Sequence, residues 1–179
     1  FDSKSDVIDI PDFNSDKLSV SMWYKFDEFT THHNALLYGG KGTANTSLML
    51  SKFTGEMGFE KAGSGFQGFD VGIVQGQWYH VVLVKDGLVS KIYLDSVERH
   101  NSPSSFSNSD YPVTIVGNNG NDNQGALGVI DDVVIYNRIL STPEIHWLYS
   151  LASADHWVCA NNNLVGPGVN LNGADLSGA

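Results

Sequence analysis

One cysteine, Cys159, is all this chain possesses, so no disulfide closes within it; the thiol either pairs with another molecule or sits as a small apolar residue in a linker. Basic residues are scarce as well. Ten Lys and Arg stand against 20 Asp and Glu, a formal net charge of -10. That balance opposes nucleic acid and anionic membrane, which need a basic surface, and favours a cation, a neutral glycan or another protein as partner. No apolar run approaches the roughly 18 residues that a membrane-spanning helix needs, and no signal peptide opens the sequence. The chain starts at Phe1 without a methionine and stops inside a repeating pattern, so a processed or incomplete piece of a longer protein is expected. Several reactive signatures are missing too. There is no Gly-x-Ser-x-Gly elbow, no phosphate-binding loop and no EF-hand sequence, and His32-His33 lacks the cysteine or the helical spacing that zinc sites use.

What is present points to a β-rich core. Over 179 residues, 41% are apolar and 11% aromatic, enough for one sizeable domain and a tail. Leu18, Val20, Met22, Tyr24 and Phe26 alternate with Ser19, Ser21, Trp23 and Lys25, the period of a strand with one face on a core. Similar runs recur at 35–38, 47–52, 57–61, 69–74, 79–85, 90–94 and 112–116. Gly- and Asn-rich breakers separate them, among them Gly39-Gly40-Lys41-Gly42, Asp86-Gly87, Asn101-Ser102-Pro103 and Gly117-Asn118-Asn119-Gly120. Many short strands without intervening helices predict an all-β antiparallel sandwich. A single helix is predicted from Ser141, where Ser-x-x-Glu to Glu144 forms a capping box; Ile145, Leu148 and Leu151 share the face expected to pack on the sandwich.

The stretch Gly128-Val129-Ile130-Asp131-Asp132-Val133-Val134-Ile135-Tyr136-Asn137-Arg138-Ile139-Leu140-Ser141 resembles the closing strand of the laminin-G-like, concanavalin A-like jelly-roll family. Phe1-Asp2-Ser3 through Asp9-Ile10-Pro11, and Trp78-Tyr79-His80-Val81-Val82-Leu83-Val84-Lys85-Asp86-Gly87 with Lys91-Ile92-Tyr93-Leu94-Asp95, agree in order and spacing. Ser3 stands where the family has glycine and Val134 where it has a basic residue. The resemblance implies a jelly roll over residues 1–152, a linker over 153–168, and an extracellular or cell-surface setting. Beyond the linker, Val169-Asn170-Leu171-Asn172-Gly173 and Ala174-Asp175-Leu176-Ser177-Gly178 resemble pentapeptide repeats, too few over 169–179 to close a core.

Candidate sites follow. If Val133 and Ile135 point inward, strand alternation puts Asp131 on the same face, where a bare carboxylate costs several kcal/mol. Either a calcium ion compensates it or backbone amides do; Asp132 is the fallback because the strand is apolar on both faces. The resemblance implies first and last strands side by side, with Asp2 and Asp131 as the calcium pair. Asn118, Asn119, Asn121 and Asp122 offer amide and carboxylate groups for sugar hydroxyls or a second ion, though any tight turn favours the same residues. Phe66, Phe69, Phe106 and Tyr111 lie near loops, where they stack on sugars or end strands of the core. Asn45-Thr46-Ser47 is a glycosylation sequon. Glycoside hydrolases of this architecture typically carry Glu-x-Asp-x-Glu or Glu-x-Asp-x-x-Glu on one strand, patterns not found here, whereas Asp27-Glu28 and Asp131-Asp132 are adjacent and point apart in an extended chain. Two functions are therefore expected in order: a non-catalytic extracellular recognition or adhesion module for glycan or protein, supported by calcium; or a protomer that polymerises into a filament through its terminal segment.

Overall fold

The computed structural model describes residues 8–10, 16–28, 34–39, 46–50, 55–61, 65–87, 89–102, 113–115, 127–152, 158–160 and 163–165. The strands are β1 (Ile8–Ile10), β2 (Lys17–Glu28), β3 (Asn34–Gly39), β4 (Thr46–Leu50), β5 (Glu56–Lys61), β6 (Gly65–Asp70) and β7 (Trp78–Asp86). They continue as β8 (Val89–Leu94), β9 (Val97–Ser102), β10 (Val113–Ile115) and β11 (Leu127–Tyr136), then helix α1 (Thr142–Ala152), β12 (Val158–Ala160) and β13 (Asn163–Val165). One sheet runs β1-β10-β3-β4-β5-β6 and the other β11-β2-β7-β8-β9, with antiparallel neighbours throughout. The predicted antiparallel sandwich is thus the observed fold. By contact the chain divides into two compact units, Phe1–Leu140 and Ser141–Ala179.

The core of the first unit follows from alternation. Leu18, Val20, Met22, Tyr24 and Phe26 of β2 join Val81 and Leu83 of β7 and Ile92 and Leu94 of β8, and meet Leu36, Leu37 and Met57 from the other sheet. Each such side chain, removed from water, contributes about 1.5–3 kcal/mol. The outward residues Ser19 and Ser21 are buried as well, so β2 is covered on both faces along this stretch rather than on one. Ser19 Oγ donates to the carbonyl of Arg138 at 3.0 Å and accepts from the amide of Leu140 at 2.9 Å, which ties the segment after β11 back to β2. At the other margin Phe69 of β6 stacks on His100 of β9, ring centroids 4.2 Å apart and 3° from parallel, bridging the edge strands of the two sheets.

Four details differ from the sequence-based expectations. β1 pairs with β10 and β11 pairs with β2, so the opening and closing strands are edges of different sheets and not hydrogen-bonded neighbours. The strand expected over 69–74 ends at Asp70, because the Asp70 carboxylate accepts the Gly72 amide at 2.9 Å and turns the chain. β9 was not expected: its polar run is paired through a two-residue turn at Asp95 and Ser96, whose φ values of 50° and 64° suit a twisted hairpin. The expected linker contains the hairpin β12–β13. In the second unit, Ser141 and Glu144 do cap α1, with Glu144 Oε2 accepting both the amide and the hydroxyl of Ser141 at 2.8 and 2.7 Å. Ile145 is fully buried there, Leu148 and Leu151 are half-buried, and Trp147 is exposed.

β11 owes its position to a glycine and a bulge. A Cβ on Gly128 would lie 2.0 Å from the carbonyl oxygen of Lys25, so only glycine lets β11 approach β2 this closely. Gly128→Ala is expected to cost about 3 kcal/mol or more by forcing the strands apart. At Gly72, with φ +65° and open space around it, alanine should cost only about 1 kcal/mol. Urea unfolding of the two variants distinguishes them; equal losses would mean that the β11–β2 approach is not tight.

Candidate functional site

The bulge decides where the Asp131 carboxylate goes. Between Asp131 opposite Trp23 and Val134 opposite Ser21, β11 holds one residue more than β2, and Asp132 takes φ 49° to absorb it. Ile130 on one side of the bulge and Val133 and Ile135 on the other all pack against the core, while Asp131 and Asp132 are both exposed. The inward Asp131 expected from simple alternation is therefore corrected: the extra residue shifts the phase. Asp131 Oδ1 accepts the Asp132 amide at 2.8 Å and so closes the bulge itself. Water solvates this carboxylate, and the desolvation argument for a compensating cation does not apply. Among the described residues no three His, Cys, Asp or Glu side chains converge as metal ligands. Asp2, Asn118, Asn119, Asn121, Asp122 and Asn45 lie outside the described residues, as do Phe106, Tyr111 and the 169–179 tail.

Strand register instead assembles a patch on the outer face of the β11-β2-β7 sheet. Inward Tyr24 and Phe26 force Lys25 outward, inward Met22 and Tyr24 do the same for Trp23, and inward Tyr79 leaves Trp78 outside. Val129 pairs with Lys25 and Lys25 with Trp78, giving one row across three strands; Asp131, Trp23 and His80 form the next. Trp78 is 42% exposed and Val129 40%. Lys25 Nζ lies 5.9 Å from the centre of the Trp78 ring and 3.7 Å from the Asp27 carboxylate, so its charge is shared between an indole face and an acid.

The platform is held from below. Trp23 leans on His80, ring centroids 5.3 Å apart at 34°, and His80 Nε2 meets Ser21 Oγ at 2.8 Å. The His80 amide donates to Asp95 Oδ1 at 2.9 Å, and the Asp95 amide donates to the His80 carbonyl at 2.9 Å. Burial pushes the His80 imidazole down to about 4 and raises the Asp95 carboxyl, whose hydrogen bond from His80 and nearby Arg99 pull the other way. Beside Trp78, the turn 75–77 is fastened to β2: the Gly76 amide donates to the Phe26 carbonyl at 2.6 Å, and the Gln75 side chain donates to the Asp27 carbonyl. Tyr79 Oη receives the Val74 amide at 2.8 Å and donates to Gln77 Oε1 at 3.2 Å.

Trp23, Lys25, Trp78 and Val129 were not among the site residues expected from sequence. The available signal was an indole on the polar side of an alternating strand. Of the aromatics that were considered, Phe69 is half-buried against His100 and packed on the core.

Comparison with known proteins agrees with this architecture. Residues 2–146 match the laminin-G-type family of the concanavalin A-like lectin/glucanases superfamily, and the chain belongs to that family. Domain 4 of AbnA, an extracellular arabinanase of family GH43 from Geobacillus stearothermophilus solved in complex with arabinotriose, superposes with TM-score 0.64 at 25% identity, covering 80% of this chain and 72% of that one. Trypanosoma rangeli sialidase gives 0.62 at 18% identity over 76% of this chain but only 23% of its own. The heptameric pentraxin of Limulus polyphemus gives 0.57 at 17% identity, with 76% and 71% covered. No curated protein sequence matches the chain. Among the described residues, no helix is long and apolar enough to cross a membrane.

His80 makes the support beneath the platform acid-sensitive. An unfolded histidine takes up its proton near pH 6.5, whereas the folded one resists until about 4. Its contribution is therefore complete above pH 6.5 and is lost as pH falls through that window, by about 3 kcal/mol in all. Thermal melting from pH 7 to pH 4 should show this loss in the wild type and a shallower slope in His80→Gln. Parallel slopes would contradict it.

Proposed function

We propose that this domain is a non-catalytic extracellular recognition module that binds a glycan on the outer face of its β11-β2-β7 sheet. The observation that carries the reading is Trp78: a large indole left in water, braced by Lys25, one row along the same face from a second indole, Trp23, on the adjoining strand. An aromatic face offers apolar contact to the C–H face of a sugar ring, and flanking charged and polar groups take its hydroxyls. Family membership supports a carbohydrate-binding kind of fold. The arabinanase domain solved with arabinotriose makes that sugar a rational first probe.

A hydrolytic reading has less support. Retaining chemistry needs two carboxyl groups about 5 Å apart across one bond. Asp131 here stands exposed on the outer face with Oδ1 closing its bulge, and Asp95, raised by burial, accepts the His80 amide of β7. Asp2, the expected calcium partner of Asp131, lies outside the described residues, as do the repeats over 169–179 through which a polymer would form.

Titration of the whole chain with arabinotriose and a panel of oligosaccharides, followed by tryptophan fluorescence and calorimetry, tests the proposal. At least one saccharide should bind, and Trp78→Ala should weaken it about tenfold, roughly 1.4 kcal/mol, with the melting temperature kept. Failure of every glycan to bind, or release of reducing sugar on incubation, would overturn the reading.

A further inference from the structure

Resting on that reading, we infer that the saccharide taken by the Trp23–Trp78 face is neutral, and that Asp131 is the specificity-determining residue that turns anionic sugars away. Charge and register on this face carry the inference. Lys25 is the one cation of the two rows, and it is already matched: Asp27 lies 3.7 Å from its ammonium, and the Trp78 ring faces it at 5.9 Å. Asp131, directly opposite Trp23 in the ladder, is exposed, and the bulge turns Asp132 out beside it. His80, the remaining titratable group of the rows, is uncharged at neutral pH because burial keeps it so.

A uronate or sialate ring stacked here would thus bring its carboxylate near Asp131, and the one lysine of the two described rows, Lys25, is already matched by Asp27. Like charges at such separations oppose binding. A neutral ring meets no such opposition: its hydroxyls donate to Asp131 and accept from Lys25 while its C–H face covers an indole. The chain's formal charge of -10 extends the same bias to long range. This selectivity is a property of the closing strand, whose bulge lets Ile130, Val133 and Ile135 all face the core while Asp131 stands opposite Trp23 on the outer face. The assignment also separates this surface from basic glycan-binding patches, which take sulfated or carboxylated chains.

The experiment compares arabinotriose and xylotriose with trigalacturonate and sialyllactose by tryptophan fluorescence titration at pH 7. Excess chelator is present so that no divalent ion bridges carboxylates. In the wild type, neutral probes should bind about tenfold or more tightly than anionic ones at low salt, and raising salt should narrow the gap. Asp131→Asn keeps the oxygen that closes the bulge and removes the charge, so it should bring the anionic probes to within about threefold of the neutral ones. Equal or tighter binding of anionic probes by the wild type, or an unchanged gap in Asp131→Asn, would overturn the inference. If Trp78→Ala then still weakened whichever probe bound, the glycan reading itself would stand. Binding of neither class would defeat both.

Discussion

The pairing of β2 with β11 on one side and β7 on the other is the constraint on which the structure depends. A strand's side-chain period is two, so fixing Tyr24 and Phe26 inward fixes Trp23 and Lys25 outward; a slip of one residue would exchange the core for the platform. Nothing in the backbone hydrogen bonds alone forbids such a slip. Burial does. Leu18, Val20, Met22, Tyr24 and Phe26 are all at most 1% exposed, and turning five such side chains outward would cost about 8–15 kcal/mol, as much as the whole margin by which domains are stable. Gly128 and the bulge at Asp132 then let β11 follow β2 while keeping Ile130, Val133 and Ile135 on the core side.

Sequence patterning was informative wherever one residue type dominated one face. Alternation located β2, a short apolar run bounded by turn residues located β7, which is buried on both faces, and the Ser-x-x-Glu pattern located the start of α1. It failed where a strand was held by something other than apolar alternation. β9 is a polar edge strand, with Glu98 bound to Tyr93 and Lys91 at 3.0 and 3.2 Å, and its hairpin uses Asp-Ser where a glycine would have announced the turn. Burial would raise the Glu98 carboxyl, but those two hydrogen bonds, the Lys91 charge and Asn101 hold it below its ordinary range. Asp131 is the most instructive case. Alternation counted from Val133 is sound for an unbroken strand, and one extra residue, invisible in composition, reverses it.

The candidate site was harder to read than the fold for a related reason. Attention falls on Asn- and Asp-rich loops because loops carry function in many sandwiches. A tryptophan inside a strand reads as core. Trp78 escapes the core only because Tyr79 takes the inward position, which is settled by the register of β7 against β2 and not by the residue itself. The same register places buried His80 against Trp23, so the platform's support and its acid sensitivity share one origin. The edges are managed by local chemistry too: the bulge twists β11, and charges line β9, both of which discourage strand addition.

The most direct test of the account is a heteronuclear spectrum of the isotopically labelled chain titrated with arabinotriose or whichever oligosaccharide binds. The indole N–H resonances of Trp23 and Trp78 should shift together, along with the backbone amides of Val129 to Asp131, while the indole of Trp147 stays in place. Shifts confined to the amides of Asn118 to Gln124, with both platform indoles unmoved, would place the site on the loops and contradict the account.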